Sequence, residues 1–544
     1  MKILDHSQMA SHKDVGERCM PKEDCMEQFR YPVGIQSFQK LRRNGCVYVD
    51  KTAHIYELTH GVTYNFLSRP RRFGKSLLIS TIEAYFKGQR ELFEGLAIAK
   101  LEKEWLEYPV MHLDLTGANY NEPGALENKL HITLKQWEAI YGADPDEIAL
   151  GVRFAGVIQR AKQKTGREVV ILIDEYEKPI LDTIDNPQLQ EQHRQILNGF
   201  YSVIKNCDDH LRFVFLTGVT KIGKISVFSA LNNLNELAFV PRFATLCGIT
   251  EKELHHFFKQ DIHELAEYMQ ISDDEMAAQL KKKYDGYHFV PNGEGVYNPF
   301  SLLKAFYNQK LENYWFASGT PTILAELSKK QMFQLEDLYR CRRTEDQLKE
   351  IDSYQRDAIP LFYQSGYLTI KGPEDRFGKL QLGFPNEEVE IGMTDFFVPF
   401  YCKVRKTSEF DVSLFVDDIE NARIDAFMTR IASLLADTTY EIERDLEVHF
   451  QNFFFLLFKL MGYYVAAEYH TSAGRIDAIV KTDKYIYIIE FKMGRSAKMA
   501  LNQIIKNHYA DPFMSDPRKK FLVGANFNTK LRGMGKYVIQ EVGV

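Results

Sequence analysis

YNFLSRPRRFGKSLLISTI, residues 64–82, sets the fold of this chain. An apolar run is followed by a basic loop, and Gly74, Lys75 and Ser76 then open a segment with helical spacing. This order is that of a phosphate-binding loop, in which N–H groups at a helix N-terminus, a Lys ammonium and a Ser hydroxyl face phosphate and Mg²⁺. The usual pattern has Gly six residues before the Lys, whereas this chain has Arg69.

Three more aliphatic runs alternate with helical segments, at residues 108–117, 168–174 and 211–220. This alternation predicts an α/β fold with a parallel, doubly wound sheet whose ligands bind at the carboxyl ends of the strands. Asp174 and Glu175 end the third strand, where they suit the Mg²⁺ shell and the polarisation of an attacking water. Thr217 ends the next strand and is either a sensor of the γ-phosphate beside Asp174 or an ordinary strand terminus.

ATP is the ligand that these residues predict, with Mg²⁺ as its metal. Arg69, Arg71 and Arg72 either add phosphate contacts or form a solvated basic turn.

The composition of the chain limits the classes of protein to which it can belong. The chain has 544 residues, a net charge of −6 and 7 scattered cysteines, which indicate reduced thiols and a cytoplasmic protein. We expect neither a signal peptide nor a membrane partner, because no apolar run approaches the roughly 18 residues that a membrane span needs. A surface that binds nucleic acid must be locally basic, as residues Arg518, Lys519, Lys520, Lys530, Arg532 and Lys536 suggest.

A second constellation lies in GRIDAIVKTDKYIYIIEFKMG, residues 474–494, which predicts a hairpin of strands 475–480 and 485–492. A turn at residues 482–483 would place Asp477 opposite Ile488. Side chains alternate along a strand, so Asp477, Glu490 and Lys492 share one face, with the two acids as diagonal neighbours ~7–8 Å apart.

Two carboxylates at this spacing suit one Mg²⁺ or Mn²⁺, and the chemistry that they predict is phosphodiester hydrolysis. Lys492 would orient the attacking water and stabilise the charge that develops on the phosphate. The alternative is an ion pair of Lys492 with Glu490 or Asp477 at a strand end.

RPRRFGKSLL, VVILIDEYEKPI, LCGITEKEL, KKYDGYHF and RIDAIV…YIYIIEFK carry a resemblance to a known family. The chain resembles bacterial AAA-ATPase-like proteins with a C-terminal PD-(D/E)XK nuclease domain. The resemblance implies a P-loop NTPase-type core at 29–248 after an arm at 1–28, a mostly helical lid at 249–405 and a restriction-endonuclease-like α/β domain at 406–544. In such proteins Arg at position 69 belongs to the pattern.

The same resemblance suggests further site residues. Glu447, on the helix before the hairpin, is either a third metal ligand or an exposed charge, and Gln451 and Gln503 are left open. Asp285, in YDGYHF, is expected in a capped turn that packs the lid rather than in chemistry. His449 and His470 are expected to be ordinary packed or exposed residues.

These observations predict an ATP-binding, metal-dependent nuclease, gated by a nucleotide switch, that acts on nucleic acid, with DNA favoured over RNA. One alternative is a STAND-like regulatory protein that binds nucleotide and nucleic acid without cleavage. Another is an ATPase that remodels nucleic acid. Association into a homo-oligomer is left open.

Overall fold

The computed structural model describes residues 31–221, 234–317, 335–349, 357–401, 411–436, 446–462, 466–472, 475–528 and 533–542. At its centre is a parallel sheet of five strands, which are β1 (Tyr64–Ser68), β2 (Val110–Asp114), β3 (Val169–Asp174), β4 (Leu211–Gly218) and β5 (Asn235–Glu236). The order across the sheet is β2-β3-β4-β1-β5, so β4 separates the strand before the phosphate-binding loop from the strand that ends in Asp174. The α/β class and the parallel sheet agree with the prediction.

Alternating side chains send two apolar layers to the two faces of this sheet. Leu67 and Leu172 join the helix Lys75–Phe86 on one face. Phe66 and Ile171 face the opposite layer, formed by the helices Ala125–Tyr141, Leu150–Thr165 and Pro187–Asn206. Burial on both faces explains why the strands are almost continuously aliphatic. The shorter helices of this part are Phe38–Arg43, Thr52–Thr59, Ile98–Leu101 and Lys178–Asp182.

The region after the sheet is mostly helical, as predicted. Its helices are Glu251–Phe257, Lys259–Met269, Asp273–Tyr284, Pro299–Asn308, Tyr314–Ala317, Asp337–Arg340, Glu345–Lys349, Ile359–Gln364 and Glu387–Tyr401. The helices that begin after Thr250 and Ser272 each start with a capping box, closed by Glu253 and Glu275. Short strands connect them, namely β6 (Ile249–Thr250), β7 (Val296–Tyr297), β8 (Arg342–Thr344), β9 (Thr369–Ile370) and β10 (Lys379–Gly383).

In the described part of the C-terminal region, the helices Val412–Glu420, Ile424–Ala436 and Leu446–Met461 precede a second sheet of five strands. Its strands, in spatial as well as chain order, are β11 (Ala466–Ser472), β12 (Arg475–Lys481), β13 (Tyr485–Met493), β14 (Lys519–Asn528) and β15 (Gly533–Val542). Only the pair β13 and β14 is parallel, because the helix Ala497–Lys506 crosses over between them. The strand β15 was not predicted.

One apolar core connects these regions. A single cluster of buried side chains includes Phe73 beside the phosphate-binding loop, Phe362 and Val389 in the helical region, and Phe454 and Phe527 in the C-terminal region. Across the described ranges, no helix has the length and apolar character that crossing a bilayer requires.

Candidate nucleotide and metal sites

The loop between β1 and the helix Lys75–Phe86 encloses the ammonium of Lys75. Gly74 turns the chain into this helix with φ +92°, a left-handed conformation that glycine adopts at low cost. The Lys75 Nζ donates to the carbonyl oxygens of Arg69 (3.1 Å) and Pro70 (3.3 Å) and lies 3.4 Å from Glu175 Oε1. The loop therefore holds a buried cation directly at the helix N-terminus, next to Ser76.

Arg69 does not face this cation site. Its guanidinium donates to the carbonyl oxygens of Ser68 (3.0 Å), Ala238 (3.2 Å) and Phe243 (3.2 Å), and it stacks on the Phe289 ring at 4.0 Å. The side chain is 1% exposed, and burial lowers its pKa to about 10. The guanidinium therefore connects the loop to the segment after β5. A phosphate contact from Arg69 stays a prediction.

Arg71 and Arg72 are exposed, and both line the large cavity beside the loop. Arg72 has φ +68° and its guanidinium lies 4.8 Å from the centre of the Phe300 ring. Of the three loop arginines, these two are available to a ligand in the cavity.

The carboxyl ends of β3 and β4 bring Asp174 and Thr217 together. The Thr217 hydroxyl donates to Asp174 Oδ1 at 2.6 Å, in the position that the strand order requires. Glu175 follows with φ +52°, a conformation that costs a residue with a Cβ of order 1 kcal/mol and that concentrates at functional sites. Its carboxylate consequently turns back towards Lys75.

Glu177 is a residue of this edge that sequence reasoning missed. Its side chain is completely buried, and its Oε1 accepts from the backbone N–H groups of Val219 (2.5 Å) and Thr220 (3.0 Å). A Cβ at Gly218 would lie 2.1 Å from its other oxygen, so only glycine fits there. Burial, and secondarily the charge of Glu175, raises the pKa of Glu177 to about 8. The carboxyl thus ties the turn after β3 to the end of β4.

A cavity of ≈ 460 Å³ opens beside the loop, within the usual size range of ligand pockets. Its polar lining includes Arg71, Arg72, Lys75, Ser76 and Glu175. A smaller, mostly apolar cavity of ≈ 100 Å³ shares Gly74, Leu77 and Leu303 with it and is also lined by Val49. The charged and the apolar compartments together match the phosphates and the base of a nucleotide in character.

The YDGYHF stretch packs as predicted. Asp285 is the C-terminal cap of the helix Asp273–Tyr284, and the ring of Tyr287 lies 4.7 Å from that of Phe73. The helical region is therefore in direct contact with the phosphate-binding loop.

The second candidate site lies on β12 and β13, in a register that differs from the prediction. Asp477 is directly opposite Glu490, not Ile488. The tight turn falls one residue later than predicted, because Thr482 pairs with Tyr485 (N–O 2.9 Å) and its hydroxyl accepts from Tyr485 N at 3.0 Å. A slip of two residues leaves every side chain on its predicted face. The opposed acids are therefore closer than predicted, with Cβ atoms ~4.5–5.5 Å apart by this register.

Glu490 is fully buried, and its Oε1 lies 2.8 Å from the ammonium of Lys492, which is 8% exposed. The side chains of Asp477, Glu447 and His470 lie outside the described part of the structure. Among the side chains that are described, no three of the types that bind metals come together. Glu490 provides one carboxylate, and Asp477 lies opposite it in the register. Carboxylate oxygens are the hard ligands that Mg²⁺ and Mn²⁺ prefer.

The other predicted residues of this region have varied surroundings. His449 is buried, which lowers its pKa to about 4, so it is a packed residue, as predicted. Gln451 is also buried, whereas Gln503 is partly exposed.

Two residues of the expected basic surface form ion pairs with acidic residues. Arg518 pairs with Asp516 at 2.7 Å, Lys519 pairs with Glu541 at 3.1 Å, and Lys520 donates to the Asp516 carbonyl. Lys536 is exposed, and residues 530 and 532 lie outside the described ranges.

Comparisons with known proteins identify a domain family for each of the two regions. Residues 32–228 match the family model described as "Predicted AAA-ATPase", and residues 445–536 match that of the "PD-(D/E)XK nuclease superfamily". An "Uncharacterized protein in vnfD 5'region" of Azotobacter chroococcum mcd 1 is 32% identical over 534 residues, which cover 95% of this chain and 100% of that protein. No solved structure matches the chain.

Proposed function

Since the chain belongs to the family of predicted AAA-ATPases with a C-terminal PD-(D/E)XK nuclease domain, we propose that it is an ATP-binding, divalent-metal-dependent nuclease. The observation that carries the proposal is the directly opposed pair Asp477 and Glu490, with Lys492 two residues further along the same face. Substrates are nucleic acids, with DNA favoured over RNA.

The nucleotide site rests on the loop and on two strand ends. Phosphate oxygens would replace the loop carbonyls and Glu175 as acceptors for the Lys75 ammonium, and the helix N-terminus adds N–H donors. Ser76 and Asp174 would hold Mg²⁺ through their side-chain oxygens, and the metal would stabilise charge on the phosphates. Glu175, released from Lys75, is then free to orient water, and Thr217 holds the Asp174 carboxylate in place.

ATP binding is tested by calorimetry on the wild-type chain and on Lys75→Ala. We expect the substitution to weaken binding by at least about tenfold, because a charge-assisted contact to phosphate is lost. Lys87→Ala is the matched control, since Lys87 follows the same helix but pairs with Glu83 at its far end. Equal affinity of wild type and Lys75→Ala would contradict this site.

The nuclease site rests on the hairpin. Asp477 and Glu490, with Glu447 as a third candidate, are the residues that would hold Mg²⁺ or Mn²⁺, which lowers the pKa of a bound water and neutralises phosphate charge. Glu490 would be one of the residues that hold the metal, and the Lys492 ammonium beside it would orient the attacking water and donate to the phosphate oxygen that gains charge.

A cleavage assay on single- and double-stranded DNA and RNA, with Mg²⁺ or Mn²⁺ and with or without ATP, tests the reaction. Asp477→Ala and Lys492→Ala should each lower the rate by about 10²-fold or more, the usual cost of losing a group that acts in the transition state. Lys484→Ala, in the turn of the same hairpin, is the control that should cleave normally. Unchanged cleavage by the first two variants would refute the assignment.

The ion pair between Lys492 and Glu490 favours a second candidate function. In a nucleotide-dependent regulatory protein that holds nucleic acid without cleaving it, Lys492 and Glu490 would stay paired permanently. Retained nucleic-acid binding with no cleavage under any metal condition would select this candidate.

A further inference from the structure

Trp315 joins the phosphate-binding loop to the helical region. Its indole Nε1 donates to the carbonyl oxygen of Arg71 at 2.9 Å, and its ring lines the large cavity. The side chain is 5% exposed and lies 5.1 Å from the ring of Tyr367. Arg71 directly follows Pro70, whose carbonyl oxygen accepts from Lys75. A ligand that attracts the Lys75 ammonium therefore acts on residues 69–71 of the loop, the same backbone to which the Trp315 indole is hydrogen-bonded.

The backbone of Trp315 is held from the other side by Glu388. The Trp315 N–H donates to Glu388 Oε1 at 2.7 Å, and the Ser301 hydroxyl donates to the same oxygen at 3.0 Å. Ser301 belongs to the helix Pro299–Asn308, which also lines the cavity. Glu388 is fully buried, and its second oxygen has no hydrogen-bond partner among the described residues. A buried carboxylate that accepts hydrogen bonds through only one of its oxygens costs free energy. The contacts of Glu388 with Trp315 and Ser301 are therefore sensitive to small displacements.

The neighbouring side chain continues the contact. The ring of Phe316 packs against Gly392 so closely that a Cβ there would lie 2.4 Å from Phe316 Cγ. Glu388 and Gly392 lie one turn apart on the helix Glu387–Tyr401. Two consecutive residues, 315 and 316, thus fix the orientation of this helix relative to the cavity.

The helix Glu387–Tyr401 in turn packs on the helix Leu446–Met461, where Glu390 pairs with Lys459 at 2.8 Å. From that helix, the ring of Phe454 lies 4.2 Å from the ring of Phe491. Phe491 stands between Glu490 and Lys492 on β13, and its ring is on the opposite face of the strand. Packed contacts therefore run without a break from the phosphate-binding loop to the candidate nuclease strand.

We infer that Trp315 and Glu388 form the coupling element through which a nucleotide phosphate at the loop repositions the helices Glu387–Tyr401 and Leu446–Met461 beneath β13. The inference rests on the proposed nucleotide site. Phosphate draws Lys75 away from the loop carbonyls, and the backbone at residues 69–71 then shifts. Trp315 moves with this backbone because its indole N–H donates to the Arg71 carbonyl oxygen. Its backbone N–H and Phe316 pass the displacement to the helix that carries Glu388.

Spatial continuity alone does not demonstrate coupling, so the test measures the response of the distant helices. Amide hydrogen exchange of the full chain is followed by mass spectrometry with and without Mg-ATP, and calorimetry measures ATP binding in parallel. In the wild type we expect exchange in residues 446–461 to change by at least about fivefold, the low end of known couplings between sites. In Trp315→Phe, which removes the Nε1 donor but keeps a ring, this change should be lost at an ATP concentration that calorimetry shows to saturate the variant.

Two further variants make the test specific. Glu388→Ala should lose the response, whereas Glu388→Gln should keep it, because an amide oxygen still accepts from the Trp315 N–H. Trp137→Phe is the control for removing a buried indole, since Trp137 packs in the layer on the opposite face of the central sheet. Each variant is compared at a temperature where its melting curve shows it folded.

The outcomes separate the inference from the proposed function. An ATP-dependent change that survives in both Trp315→Phe and Glu388→Ala, or that is absent from a wild type that binds ATP, would overturn the inference alone. Failure of the wild type to bind ATP would overturn the nucleotide site and the inference together.

Discussion

Glu177 shows how one carboxyl organises the nucleotide edge of the central sheet. It is buried beside Glu175 and Tyr201, and it accepts from two backbone N–H groups that follow β4. A buried carboxylate is costly to ionise, which is why the proton is retained at neutral pH. The segment that carries Thr217 is thereby fixed to the segment that carries Asp174.

We predict that Glu177→Ala destabilises the chain and that Glu177→Gln does so much less. Alanine leaves the N–H groups of Val219 and Thr220 without their acceptor, at a cost of about 1–3 kcal/mol for each buried group, whereas Gln keeps the accepting oxygen. Urea unfolding measures both. Equal destabilisation by the two variants would show that the charge, rather than the hydrogen bonds, matters.

The pKa of Glu177 also predicts a pH dependence. The folded chain holds this proton up to a pH of about 8, whereas the unfolded chain releases it near 4.5. Between these values the folded state binds more protons, so the contribution of Glu177 to the free energy of unfolding falls as pH rises. Urea unfolding across this range should give a slope that is shallower in Glu177→Gln. An identical slope would contradict the retained proton.

Arg69 and Arg71 are close in sequence but are expected to respond differently to substitution. Arg69→Ala removes a buried guanidinium from the carbonyl oxygens of Ala238 and Phe243 and should cost about 3 kcal/mol or more of stability. Arg71→Ala should leave stability within about 0.5 kcal/mol, because its side chain is exposed, but should weaken ATP binding. Thermal unfolding measures the stability of both variants, and calorimetry measures their ATP binding. Weaker ATP binding without loss of stability in Arg69→Ala would indicate that Arg69 contacts phosphate.

At the scale of elements, the hairpin of β12 and β13 depends on its turn. Thr482 accepts from the backbone N–H groups of Lys484 and Tyr485, which fixes the two-residue turn and therefore the whole register. Side chains alternate along a strand with a period of two, so a shift in strand register by two residues leaves the same side chains on each face. The shared face of Asp477, Glu490 and Lys492 was therefore predictable, although the register was not.

We predict that Glu490 and Lys492 are energetically coupled in the metal-free chain. A double-mutant cycle with Glu490→Gln and Lys492→Met should give a coupling energy of about 1–3 kcal/mol, because both groups are buried and 2.8 Å apart. Added Mg²⁺ should reduce the coupling if the metal takes Glu490 as a ligand. A coupling energy near zero without metal would mean that the pair contributes nothing to the face.

Local signals in the sequence predicted the strands β1 to β4 and the existence of the hairpin of β12 and β13, because each depends on residues close together in the chain. The buried contacts of Arg69 were not predictable, because two of its acceptors lie about 170 residues away, where no local pattern points to them. The strand β15 was missed because it is an edge strand whose side chains are mostly partly or fully exposed, which gives no continuous apolar run.

The whole molecule is held together more closely than the predicted domain boundaries imply. Asn452, on the helix Leu446–Met461, accepts from the backbone N–H of Leu335 at 2.9 Å, and the rings of Tyr339 and Phe455 are 5.2 Å apart. The helical region thus packs directly on a helix of the C-terminal region. Buried side chains on both sides of the predicted boundary, such as Phe397 before it and Phe415 after it, belong to one apolar cluster.

A chain of residues 406–544 alone should therefore fold poorly. It exposes the face of Leu446–Met461 that Leu335 and Tyr339 cover, and small domains with incomplete cores are marginal. We expect binding of a dye specific for apolar surface and a broad unfolding transition, compared with a longer piece that starts at residue 335. A sharp, independent transition of the short piece would contradict the continuous core.

Cleavage of labelled DNA by the full wild-type chain, in Mg²⁺ or Mn²⁺ against an excess of chelator, is the direct test of the nuclease site. We expect metal-dependent cleavage that the chelator abolishes and that Glu490→Gln lowers by about 10²-fold or more, since Glu490 lies opposite Asp477 in the register of the hairpin. Cleavage that persists in chelator or in Glu490→Gln would contradict a metal-dependent nuclease site on this hairpin.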